Sequence, residues 1–200
     1  MTKAVQERIF AAANILNPRT RFICVRYGNV LASRGSVIPL FHDQIRHGGP
    51  VTVTVPEMTR FLLTLNEAVD TVFAAIEHAR KGETYIPRAP SATVMNIAKA
   101  LIAGRSIRID VVGIRPGEKM HEVLVSEEEA NHCVARGNYY VIRPMLPELA
   151  DDSIREPNAL DGEYSSGDAV LDPAGTTELL KRTGLLDVPE DFESAEEMLR

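Results

Sequence analysis

The chain has 200 residues, 44% apolar and 25% charged, which excludes general disorder and leaves room for one large domain or two small ones. Its net charge of −6 is uneven: residues 1–149 carry 18 Lys+Arg against 14 Asp+Glu, and residues 150–200 carry 4 against 14. A slightly basic body suits a small anion and excludes a long polyanion such as nucleic acid, which needs a much stronger basic patch.

The acidic end reads as a solvated, partly ordered surface segment. No apolar run reaches the roughly 18 residues of a membrane span, and no basic-then-apolar leader opens the sequence. Cys24 and Cys133 are too far apart for a disulfide framework or a zinc knuckle, so a reducing, cytoplasmic setting is expected.

Apolar residues at Val5, Ile9, Phe10, Ala12 and Ala13 predict a helix over residues 3–15 with no capping residue ahead of it, as in the interior of a longer chain. Residues 21–26 fit a buried strand, ended by Tyr27-Gly28-Asn29 where open parallel sheets place ligands. Ser36 is the expected N-cap of a helix over 37–45, and β-branched content makes 51–55 a strand. A helix is predicted over 66–80, with Ala68, Val69, Val72, Phe73 and Ile76 on its apolar side, and a strand over 83–87.

Ser91 is the expected cap of a helix reaching Ala103, and residues 106–112 alternate as a strand. Residues 114–119 form a loop around Pro116-Gly117, and Glu127-Glu128-Glu129 opens a short helix after Ser126, as the helix dipole favours. Residues 139–142 are the last strand. Beyond Pro144 the chain is irregular, apart from helices near 174–183 and 192–199. Strands alternating with helices give an α/β fold with a partly parallel sheet.

Three segments stand in a specific order: Val25-Arg26-Tyr27-Gly28-Asn29-Val30 with Ser33-Arg34-Gly35-Ser36-Val37; Pro56-Glu57-Met58-Thr59-Arg60-Phe61; and Gly113 through Glu122, GIRPGEKMHE. Together they resemble the inverting UDP-N-acetylglucosamine 4,6-dehydratases and related polysaccharide-biosynthesis proteins of the extended short-chain dehydrogenase/reductase type. The resemblance covers residues 1 to about 143, and Glu163-Tyr164-Ser165-Ser166 is also similar to such proteins.

The resemblance implies a partial NAD(P)-binding Rossmann fold, its last strands and helices only, plus a small α/β substrate-binding domain. The expected division is 1–31 and 60–87 for the Rossmann remnant, 32–59 and 88–143 for nucleotide-sugar binding, and 144–200 for the acidic tail. No Gly-x-x-Gly-x-x-Gly turn occurs, so NAD(P), the cofactor of full-length members, is not expected to bind this chain alone. The implied activity is 4,6-dehydration of a UDP-sugar, or 4-epimerisation on the same scaffold, by a fragment inactive alone. A non-catalytic nucleotide-sugar-binding module is the alternative from another class. Expected partners are a UDP-sugar, further copies of the chain or a separate N-terminal half.

By the same resemblance Met1-Thr2-Lys3 matches the end of a Tyr-x-x-x-Lys motif, which makes Lys3 the catalytic and cofactor-ribose lysine, and Tyr27 borders the nicotinamide. Asn29, Arg60 and Arg115 are implied diphosphate ligands, Glu118 a ribose ligand, Ser36 and Val37 a helix start facing the ligand, and Arg34 a further contact. Plainer readings stand beside these. Lys3 fits a solvated lysine, Arg115 to Glu118 a surface turn, and Arg60 a side chain lying over apolar surface. His121 beside Glu122 fits an exposed or hydrogen-bonded structural histidine, and His132-Cys133, without a partner pair, does not make a metal site.

Overall fold

The computed structural model describes residues 2–33, 36–150, 153 and 155–186. The chain divides into two compact units, Met1–Tyr27, Leu65–Arg88 and Val123–Ser165 in the first, Gly28–Thr64, Ala89–Glu122 and Ser166–Arg200 in the second. The expected helix at 192–199 lies outside the described residues.

The first unit holds helix α1 (Thr2–Leu16), strand β1 (Cys24–Val25), helix α3 (Leu65–His78), strand β4 (Thr84–Pro87), strand β7 (Val123–Val125), helix α5 (Glu127–Ala130), strands β8 (Cys133–Arg136) and β9 (Tyr139–Ile142), and strand β10 (Tyr164–Ser165). Its sheet runs β1-β4-β9-β8, with β1 parallel to β4 and the other pairs antiparallel. Thus β1 is an edge strand. This is a mixed α/β architecture with a partial Rossmann-like sheet.

The strand expected over 21–26 pairs only at Cys24 and Val25. The fold also uses β8, unread in the sequence, and its Cys133 and Val134 are buried in the sheet. Residues 123–143 therefore belong with the first unit and not with the segment 32–59. Helix α3 turns its small residues inward: Ala68, Thr71 and Ala75 are buried, whereas Val69, Val72, Phe73 and Ile76 are exposed. Small side chains let the helix approach the sheet closely, which reverses the apolar face expected from side-chain size.

Charge is managed inside this unit. Glu83 is 1% exposed and accepts both ends of the Arg136 fork at 2.7 Å, while Arg136 also binds Glu156 at 2.8 and 2.9 Å. Such planar forks satisfy a buried carboxylate that would otherwise be strongly destabilising.

The second unit contains helix α2 (Val37–Arg46), strands β2 (Val51–Val53), β3 (Thr59–Phe61) and β5 (Ser91–Thr93), helix α4 (Val94–Ile102), strand β6 (Ile109–Val111) and helix α6 (Pro173–Arg182). Strand β2 pairs in parallel with β6, and β3 in antiparallel with β5. Helix α2 buries Ile38, Phe41, His42 and Ile45, a helical spacing. Helix α4 buries Val94, Ile97, Ala98 and Leu101 on the same core.

Ser91 is a strand residue and not a cap. Thr93 caps α4, its hydroxyl accepting the Asn96 amide at 3.0 Å. The described part of the acidic end is also not a solvated tail. Leu179 and Leu180 of α6 enter the main core, and Thr176 and Ser166 are fully buried. Apolar residues at helical spacing override the surrounding acidic charge.

Candidate functional site

In the second unit, Val30 bridges Leu63 in parallel and the Leu31 amide donates to the Leu63 carbonyl at 2.7 Å, which lays the segment 29–31 beside the end of β3. Gly28 permits this: a Cβ there would sit 2.6 Å from the Phe61 Cβ. One small cavity of about 20 Å³ results, lined by Asn29, Ser36, Val37, Arg60 and their neighbours Val30, Leu31, Ile38, Phe61 and Leu62.

Ser36 stands at the N-cap of α2, as expected, but its side chain makes no capping bond. Its hydroxyl oxygen is buried without a partner among the described residues. The first amides of α2 have no intrahelical acceptors, a property of every helix start, and they sit on the same lining through Val37 and Ile38. Ser36, Val37, Asn29 and Arg60 therefore share the lining of one small corner.

Arg60 is held firmly. Its Nη1 donates to the carbonyls of Thr59 at 2.7 Å and Lys119 at 3.0 Å, and its Nη2 to the Met58 sulfur at 3.0 Å. Glu122 lies 3.9 Å from its Nε and accepts the Phe61 amide at 3.2 Å. Burial raises the Glu122 pKa, and the Phe61 amide bond and the charges of Arg60 and Lys119 offset only part of that rise. Arg60 is thus no loose side chain over apolar surface.

Arg115 is exposed and Glu118 partly buried, and neither lines this cavity. They close their own turn: the Arg115 amide donates to the Glu118 carboxylate at 2.9 Å and the Glu118 amide to the Arg115 carbonyl at 3.1 Å. The turn joins the corner through the Lys119 and Met120 carbonyls, which bind Arg60 and the Thr59 amide. Arg34 lies outside the described residues.

Lys3 and Tyr27 meet elsewhere, on a cleft of about 500 Å³ in the first unit, with Glu7, Phe10, Cys24 and Arg26 among its walls. Arg26 binds Glu7 at 2.6 Å and Glu129 at 2.8 Å, and Glu129 also completes a capping box with Ser126. Burial opposes the Arg26 charge, but the bonds from Glu129 and Glu7 prevail and raise its pKa. For Glu129, burial pushes the pKa up, while the Arg26 bond and the Ser126 amide push harder and leave it lowered. Burial, then Glu7, raises the Cys24 thiol against the pull of Arg26.

These residues do not fit the pyrophosphate of NAD(P). The cleft's arginine is engaged by two carboxylates, which leaves Lys3 as the other cation on its lining, and the sequence has no glycine-rich turn.

Sequence reasoning missed Thr59, Glu122 and Ser166, although all three lie in the motif segments. The Ser166 hydroxyl accepts the Glu122 amide at 2.9 Å and lies 2.7 Å from the Thr59 hydroxyl, which lies 2.7 Å from His121 Nδ1. His121 is exposed and hydrogen-bonded. Among the described residues no group of three or more His, Cys, Asp or Glu could hold a metal, and no helix is long and apolar enough to cross a membrane.

Residues 1–144 match the family model described as "Polysaccharide biosynthesis protein". The chain belongs to the polysaccharide biosynthesis protein family. Over 146 residues it is 45% identical to a UDP-glucose 4-epimerase of Rickettsia typhi, covering 71% of this chain and 43% of that protein. It is 40% identical over 154 residues to an uncharacterized membrane protein of Methanocaldococcus jannaschii, covering 72% of this chain and 46% of that one. This polysaccharide biosynthesis protein therefore spans less than half the length of these curated relatives. The X-ray structure of Pen from Bacillus thuringiensis is similar to it with a TM-score of 0.79 at 31% identity, over 92% of this chain and 57% of that one.

Proposed function

We propose that this chain carries the nucleotide-sugar-binding part of an NAD(P)-dependent enzyme that modifies a UDP-sugar for polysaccharide biosynthesis, in the manner of a UDP-N-acetylglucosamine 4,6-dehydratase. The observation that carries the reading is the single polar corner made by Asn29, Ser36, Val37 and Arg60 at the start of α2. A helix N-terminus with a planar guanidinium beside it suits a diphosphate, which takes amide donors and a forked cation together. Arg115 would add to the diphosphate contacts and Glu118 would bind the uridine ribose, its carboxylate having acceptor sites beyond the one that takes the Arg115 amide.

A second reading, 4-epimerisation of a UDP-sugar, is favoured by the name of the Rickettsia typhi relative, a UDP-glucose 4-epimerase. Either reaction would use the sugar's diphosphate as the anchor. Lys3 and Tyr27 form the cofactor-facing side of the reading, and turnover requires the dinucleotide-binding turn that this sequence lacks.

The test is calorimetric titration with UDP-N-acetylglucosamine and UDP-glucose, and NADP in parallel. UDP-sugar binding weakened about tenfold or more in Arg60→Ala, with no NADP binding, supports the reading; such a loss is expected for a charge-assisted contact left unmade. UDP-sugar binding indifferent to Arg60 overturns it. The exposed apolar side of α3, Val69, Val72, Phe73 and Ile76, supports association with further copies or with a separate N-terminal half. Sedimentation of the chain alone should show self-association reduced by Phe73→Glu.

A further inference from the structure

We infer that Ser166, from the segment beyond the family match, is a positioning residue for Arg60, and that its hydroxyl fixes the guanidinium for an anion bound at the corner formed with Asn29 and Ser36. Ser166 is fully buried, and Thr59 is 2% exposed. The link between Ser166 and Arg60 is one atom, the Thr59 carbonyl oxygen. The Ser166 hydroxyl donates to it at 3.2 Å and Arg60 Nη1 donates to it at 2.7 Å.

The other contacts of Ser166 tie down the second wall of the arginine. Its oxygen accepts the Glu122 amide, and its own amide donates to the Glu122 carbonyl at 2.8 Å. Glu122 in turn holds the Phe61 amide and faces Arg60 Nε. Ser166 thereby pins the residues on both sides of Arg60, Thr59 on β3 and Glu122 at the end of the GIRPGEKMHE segment. A consistent proton order exists: His121 Nδ1 donates to the Thr59 hydroxyl, that hydroxyl to Ser166, and Ser166 to the Thr59 carbonyl, with every hydroxyl proton placed once.

Buried polar groups that are fully satisfied in this way rigidify the element that carries them. The segment that delivers Ser166 is itself anchored: Leu171 donates to the Ser91 carbonyl at 2.7 Å and Ser91 to the Ala169 carbonyl at 3.1 Å. A residue outside the family match thus sets the geometry of an arginine inside it.

The inference rests on the reading of Arg60 as a diphosphate ligand, and the experiment separates the two. UDP and uridine are titrated by NMR into the full chain and into Ser166→Ala, Ser166→Cys, Arg60→Ala and the Arg60→Ala/Ser166→Ala pair, each checked for folding by circular dichroism. Ser166→Ala should weaken UDP about two- to tenfold, the range of one or two lost hydrogen bonds, and leave uridine unchanged. On the Arg60→Ala background it should add nothing further. Equal weakening of UDP and uridine, or additive losses, makes Ser166 a merely structural residue and overturns the inference.

Unchanged UDP binding in Arg60→Ala instead overturns the site reading. In that case, or without UDP binding, the resonance of the Arg60 Nη1 protons, which bond the Thr59 carbonyl, decides. It should be shielded from exchange in the parent and lost in Ser166→Ala, and its persistence overturns the positioning role. Should Ser166→Ala not fold, Ser166→Cys puts a weaker thiol donor in place of the hydroxyl that bonds the Thr59 carbonyl, at nearly the same volume, and the same outcomes decide.

Discussion

At the scale of single residues, two arginines of this chain have opposite settings. Arg26 is committed to Glu7 and Glu129, and Arg60 is committed to carbonyls and to one carboxylate at longer range. The Glu129 pKa is lowered in the folded state, so its contribution is fully present above the ordinary glutamate range of about 4.3. That contribution is lost as pH falls from there through the lowered folded value. Urea midpoints measured from neutral pH downward should therefore fall steeply below about pH 4.5 in the parent. Glu129→Gln should be less stable at neutral pH and show a shallower acid slope.

Arg136→Ala strands a carboxylate that is almost fully buried, and a loss of about 3–5 kcal/mol is expected in the same assay. Arg60 and Asn29 were expected as diphosphate ligands by resemblance, and the structure places both on one lining. Thr59, Glu122 and Ser166 were not legible in that sense. Their role depends on contacts across 44 to 107 residues of chain, which no local pattern encodes.

At the scale of elements, amphipathic helices and the strands β2, β4, β6 and β9 were readable, and strands β3, β5 and β7 were not. Helix α2 and helix α4 announce themselves by apolar residues every three or four positions, and both are where that spacing places them. Strands β3, β5 and β7 have three residues each, too few for alternation to show, and each exists because a distant partner completes its hydrogen bonds. The start of α4 shows how a small misreading follows. Ser91 and Thr93 are both good caps by composition, and the pairing of Ser91 with Phe61 in the strand decides for Thr93. Thr93→Ala should cost about 1 kcal/mol by thermal denaturation, and Thr93→Ser should keep most of it. Gly28→Ala, which drives a Cβ into Phe61, should destabilise the second unit and distort the corner beside Arg60.

At the scale of the whole molecule, the segment outside the family match decides whether the second unit has a complete core. The match ends at residue 144, but Leu179 and Leu180 are 8% and 0% exposed and pack with Ile97 and Leu101 in one cluster. Leu171, Leu185 and Leu186 pack against its margin. Each fully buried leucine removed costs about 2–5 kcal/mol, against a total stability of about 5–15 kcal/mol for an ordinary domain. A chain ending at residue 144 loses both leucines, the Thr176 and Ser166 hydrogen bonds, and the cover of α4 together. Such a chain should lose cooperative unfolding of the second unit in urea, read by circular dichroism and by amide exchange at Ile97 and Leu101. Leu180→Ala in the full chain removes one of these contributions and should shift the same transition by about 3 kcal/mol without abolishing it. If the shortened chain unfolded with unchanged midpoint and slope, the buried leucines of α6 would not be part of the cooperative core.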